Sequence, residues 1–156
     1  MNEHVVLKVP DERGYEADFF AWSAEQARLL RERRFDEIDL ENIVEEIDSL
    51  GRNLRRQLHS RMAGLIEHLI KLQVSRDFDP RRQWILSVNE QRLRLADLVE
   101  ENPSLRPELA KAFSKQWVNG AKMAESGLED YDREMIPPTP SLTVADALDP
   151  KFFPDQ

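Results

Sequence analysis

The sequence predicts an all-α protein, an elongated antiparallel bundle of four main helices with a proline-rich C-terminal tail packed across it. Three observations predict this class. From Ile43 to Leu72 apolar residues recur with a mean spacing of about 3.6, the period of a straight α-helix. Only five of 156 residues are glycine, and the β-branched alternation of half-buried strands is nearly absent. Helix start and stop signals punctuate the chain at helical intervals. A chain of this length has the size of one domain, and it buries enough surface to fold without metal or disulfide. We read residues 15–156 as that domain and residues 1–14 as an extended or frayed arm.

Each element has its own signal. A first helix covers about Tyr15–Arg33, with Phe19, Trp22, Ala27 and Leu30 on its apolar face. Ser23 and Gln26 have capping-box spacing, which leaves open a division into two short helices. The second helix starts after Asp39, a good N-cap, with Ile38 and Ile43 at the staple positions. Its apolar stripe is Ile43, Ile47, Leu50, Leu54, Leu58, Met62, Leu65, Leu69 and Leu72, and it ends near Arg76. Unbroken, it is about 50 Å long at 1.5 Å per residue. Such a helix requires an elongated bundle, a bend at Gly51 or Gly64, or an end that projects into a second subunit.

Asp79 as cap and Pro80 as first helical residue start the third helix, which runs to about Glu101. Trp84, Ile85, Val88, Leu95, Leu98 and Val99 face inward. After the break at Asn102-Pro103, Ser104 caps a fourth helix that carries Leu109, Phe113, Trp117, Ala121, Ala124 and Leu128 and reaches toward Met135. In the tail, residues 136–156, Thr143 and Asp146 can cap one short turn, and Phe152 and Phe153 are expected to pin the tail to the bundle.

Composition narrows the function. With no cysteine, disulfides, zinc fingers and thiol catalysis are excluded. No apolar run approaches the roughly 20 residues that span a bilayer, and the N-terminus lacks a signal-peptide pattern, so the expected location is cytoplasmic, away from membranes. A net charge of −8 disfavours non-specific nucleic-acid binding. The charge is segregated. Residues 36–48 hold seven acids and no base, and residues 52–61 hold four arginines and no acid. Such patterning speaks of partners rather than fold.

Several motifs together resemble a known family. They are Tyr15-Glu16-x-Asp18-Phe19-x-x-Trp22, the run Asp39-Leu40-Glu41-Asn42-Ile43-x-Glu45-Glu46-Ile47-x-Ser49-Leu50-Gly51, and His68-Leu69-x-Lys71. Arg82-x-Trp84, Glu90-Gln91-Arg92, Asn102-Pro103-Ser104-Leu105-Arg106-Pro107 and Leu148-Asp149-Pro150-x-Phe152-x-Pro154 follow in order. This set resembles a bacterial family called domain of unknown function twenty-nine, from about Tyr15 to the end. One position departs: Leu72 stands where such sequences often have Trp. The resemblance implies a cytoplasmic all-helical protein and no particular activity.

Three groups of residues are candidates for function. Glu41, Glu45 and Asp48 fall at i, i+4, i+7, and Arg52 continues their row, with Arg55 and Arg56 beyond. They read as a site for a metal or a cationic protein partner, or as a solvated helix face. No Glu-x-x-His motif of a di-metal bundle occurs, so no metal or other cofactor is implied. Second, a polar line of Asn42, Glu46, Ser49, Asn53, Ser60, Gly64, Glu67 and Lys71 runs along the second helix. It reads as a cleft lining, an exposed edge, or hydrogen bonds to neighbouring helices. Third, His68, Lys71, Arg82 and Trp84 would form a cationic pocket with an aromatic wall if the third helix returns beside the second. Such a pocket suits a carboxylate or phosphate. The leading expectation is a non-enzymatic interaction or regulatory module that binds a protein partner or itself. A protein or enzyme that binds a small anionic ligand at the third group is the alternative, and nucleic-acid binding comes third.

Overall fold

The computed structural model describes residues 14–154, so the expected N-terminal arm lies outside the described residues except for Gly14. All regular structure among them is helical. The helices are α1 (Phe19–Arg31), α2 (Leu40–Val74), α3 (Arg81–Glu101), α4 (Glu108–Glu125), α5 (Asp130–Arg133) and α6 (Val144–Leu148). Short 3-10 turns span Phe35–Glu37 and Pro103–Leu105. The chain divides into two compact units, one reaching to Gly51 and the other beginning at Arg52.

The first unit joins α1 to the opening turns of α2. Asp18 caps α1 by accepting from the Ala21 N–H at 2.9 Å. The division of this region into two helices does not occur. The Ser23 hydroxyl donates to the Phe20 carbonyl, and the buried Gln26 side chain accepts from the Asp39 N–H at 2.8 Å. Two residues past the end of α1 comes Arg33, whose φ of 59° lies in the left-handed region. There the Arg34 N–H reaches the Leu29 carbonyl and the Arg33 N–H the Leu30 carbonyl, the closing pattern that usually recruits glycine. Asp39 caps α2 as expected, accepting from the Asn42 N–H at 3.3 Å. Gly51 does not break α2.

The second unit holds a continuous core. Leu58, Met62, Leu65, Ile66, Leu69, Ile70 and Leu72 of α2 are fully buried against Trp84, Val88 and Leu95 of α3 and Phe113 and Trp117 of α4. The predicted inward faces of α3 and α4 all pack in or against this cluster. Two expected caps do not form. α3 starts at Arg81 after Pro80, without a side-chain cap, because the Arg81 N–H bonds the Phe78 carbonyl. Asp79 is therefore not its cap. Ser104 sits inside the 3-10 turn, where backbone bonds close the chain, and α4 starts without a side-chain cap at Glu108. That helix stops at Glu125 rather than reaching Met135, turning through Ser126 and Gly127.

The tail behaves largely as its residues suggest. Thr143 and Asp146 form a full capping box on α6. Phe153 packs against the core, and the Arg92 guanidinium lies 5.0 Å from its ring centre. Arg92 is buried, and it donates to the carbonyls of Ala147 at 2.8 Å and Phe152 at 2.7 Å. The Trp117 indole donates to the Pro137 carbonyl. The tail is thus fastened largely by side-chain donors reaching its backbone.

Candidate functional site

The apolar stripe of α2 does not have one fate. Beyond Leu58 it is buried, but Ile47 and Leu50, expected to face inward, are 62% and 64% exposed. Leu40 and Val44 beside them are also exposed, as are Phe19 and Leu30 of α1. In α1 it is Leu29, rather than Leu30, that joins Trp22 in burial. The physical reason is coverage. Among the described residues of the first unit, the opening turns of α2 have only α1 and its 3-10 extension to pack against. Two short helical faces cannot enclose each other's apolar residues.

What results is an open groove within the first unit, about 500 Å³ in volume. It is lined on the α1 side by Phe19, Trp22, Ala27 and Leu30 and on the α2 side by Ile43, Ile47 and Leu50. Its walls are held rigidly. The Trp22 indole donates to Asp39 at 3.2 Å, and the Asn42 amide donates to the same carboxylate at 2.7 Å. Tyr15 packs edge-on against Trp22 and Phe19, and its hydroxyl donates to Glu46, a groove-lining carboxylate. That bond, with burial and the negative charge of Glu46 adding to it, pushes the Tyr15 pKa up to about 12. The phenol therefore stays a donor throughout the physiological range. The described residues of this unit, 14–51, contain eleven acids and four bases, a net −7 against −8 for the whole chain. Arg28 and Arg34 among those bases are already paired with Glu25, Glu32 and Glu37. The groove is therefore apolar at its floor and acidic around it.

The charged row of α2 divides between the units. Glu41 and Asp48 are exposed on the first. On the second, Arg52, Arg55, Arg56, His59, Lys115 and Gln116 line a surface cleft of about 490 Å³. His59 and Gln116 bond across it at 3.1 Å, and the Arg56 guanidinium bonds Asn53.

The His68 group is built differently from an open pocket. Lys71 is buried, and its ammonium is matched by Glu67 at 2.6 Å. Trp84 belongs to the core, and Arg82 is exposed in the first turn of α3. His68 is half-buried, and its Nδ1 has no hydrogen-bond partner. The cavities described above are lined by other residues. The polar line that includes Gly64 and Glu67 serves in part as a packing edge, with the Gln91 side chain lying where a Cβ on Gly64 would touch it. Among the described residues no three His, Asp or Glu side chains converge in a metal-binding arrangement.

Two features escaped the sequence reading. The groove was hidden because periodicity shows which face of α2 is apolar and not what covers it. Arg92 was visible only as a member of a motif, with nothing to show its burial. Among the described residues no helix is long and apolar enough to cross a membrane. A model of the family described as Domain of unknown function DUF29 matches residues 15–153. No curated protein and no solved structure matches the chain.

Proposed function

Because the chain belongs to the DUF29 family, whose description names no activity, we propose its function from the surface it presents: a non-enzymatic interaction module. It binds a protein partner, or a second copy of itself, through the α1–α2 groove. The observation that carries this reading is the exposure of Ile47 and Leu50 in a groove whose walls are pinned by Trp22, Asp39 and Tyr15. Rigid apolar anchors ringed by charge are the composition of protein interfaces. The test is co-isolation from the native host with wild type and with a double variant, Ile47→Asp and Leu50→Asp. Both positions are exposed, so helicity and melting stay near wild type. The expected result is one or more proteins recovered with wild type and lost with the variant. An identical set from both would contradict the reading.

The cationic cleft of the second unit supports a second reading, a small anionic ligand held by Arg55, Arg56 and Lys115. In this cleft several cations share one solvent-facing cavity, whereas in the His68–Trp84 group Lys71 is buried against Glu67.

A further inference from the structure

A further cavity, about 420 Å³ in volume, lies wholly within the second unit. Residues 92, 95, 96, 99 and 100 of α3 line it, at the three- and four-residue spacings of one helical face. The 3-10 turn at Pro103–Leu105 reverses the chain, which brings Arg106 and Leu109 back against that face. The tail helix α6, fixed by its capping box, adds Leu148. Three sequence motifs thus converge on one place. Arg92 comes from Glu90-Gln91-Arg92, Arg106 from Asn102-Pro103-Ser104-Leu105-Arg106-Pro107, and Leu148 from Leu148-Asp149-Pro150-x-Phe152-x-Pro154. Arg92 is only 7% exposed. Its Nε and Nη2 are committed to the tail carbonyls of Ala147 and Phe152, and its buried Nη1 reaches no acceptor. Asp149 attracts the guanidinium without forming an ion pair, and burial still pushes its pKa below the ordinary Arg value. Carbonyls accept its hydrogen bonds but do not neutralise its charge, and buried charges are normally paired.

We infer that this cavity binds a small organic monocarboxylate with an apolar body. The carboxylate supplies the counter-charge that Arg92 lacks and bonds the exposed Arg106, while the body lies on Leu95, Val99, Leu109 and Leu148. Because Arg92 is shielded from water, the attraction acts in a low dielectric, where a charge pair is strongest. The charge of the lining selects the ligand. Two arginines stand against one carboxylate, Glu100, which leaves a single positive charge in excess. A monoanion matches that excess. A phosphate dianion would bring a second negative charge beside Glu100, and a neutral apolar molecule would leave Arg92 without a counter-ion. The volume lies in the range of small-molecule sites, and the remaining walls are apolar.

The test is isothermal titration calorimetry of the full chain with octanoate as the probe, and with butanoate and octanamide as comparisons. Octanoate should bind one to one. Butanoate, with a shorter apolar body, and octanamide, with no charge, should each bind at least about tenfold more weakly. Arg92→Gln would remove the tail's fastener together with the charge, so the variants are Arg106→Gln and Ala96→Trp, both at exposed positions lining the cavity. Arg106→Gln should weaken octanoate about tenfold through the lost charged contact. Ala96→Trp, which puts a ring into the cavity, should abolish binding. Circular dichroism and melting of both variants without ligand should stay near wild type. Three results overturn the proposal: no octanoate binding to wild type at millimolar concentration, octanamide binding as tightly as octanoate, or octanoate binding that neither variant changes. In the third case, loss of binding in the Ile47→Asp and Leu50→Asp double variant would place the probe in the α1–α2 groove instead.

Discussion

Asp39 accepts from three donors, the Asn42 N–H, the Asn42 amide and the Trp22 indole, while its own N–H is held by Gln26. Those bonds, the Asn42 amide foremost, hold its carboxyl below the ordinary Asp range against the opposing effect of burial. Its stabilising contribution is present above the unfolded-state value of about 3.9 and is lost as pH falls through the folded value. His68 works the other way. Burial lowers its pKa and Lys71 adds to that, against the attraction of Glu67. The unfolded chain therefore takes up this proton more readily than the folded one, and stability falls as pH drops below about 6.5. Urea midpoints measured from pH 8 to pH 5 should decline, and His68→Gln should flatten that decline. An unchanged slope in the variant would assign the effect elsewhere. The cap at Asp39 was legible in the sequence because it is local. Its bonds to Trp22 and Gln26, like the grip of Arg92 on the tail, join residues distant in sequence and were not.

At the scale of elements, the helices and most of their faces were readable, because α3 and α4 carry the 3.6 period over a buried length. Ends were less so. Asp79 and Ser104 have capping chemistry, but backbone turns around Pro80 and Pro103 satisfied the amides first. Contact between elements has a sharp signature at Gly120. A Cβ there would come within 2.6 Å of Ile66 Cγ2 and 3.0 Å of the Ala63 carbonyl oxygen. α4 and α2 thus cross in direct contact at this point. Gly120→Ala should destabilise by about 1–3 kcal/mol through overpacking, outweighing the roughly 1 kcal/mol that alanine offers a helix. Gly51→Ala, with open space around it, should instead stabilise by up to about 1 kcal/mol. Paired thermal or urea melts check both signs. Destabilisation by the Gly51 change equal to that at Gly120 would contradict the packing described for α2.

At the scale of the whole molecule, two asymmetries coincide. Nearly all the net negative charge falls on the first unit, and that unit also leaves its apolar residues least covered. The second unit has the buried core and the fastened tail, and it presents the cationic cleft. The sequence carried the charge segregation in plain view, but a continuous apolar stripe concealed the change from covered to uncovered halfway along α2. The central claim is that the uncovered half is a binding surface. Its most direct test places a photo-crosslinking amino acid at Ile47 in the native host, with a control at the exposed Arg94 of α3. The account predicts a discrete adduct from position 47, to a second copy or to another protein, that is missing from position 94. No adduct from position 47, or the same adducts from both positions, would contradict it.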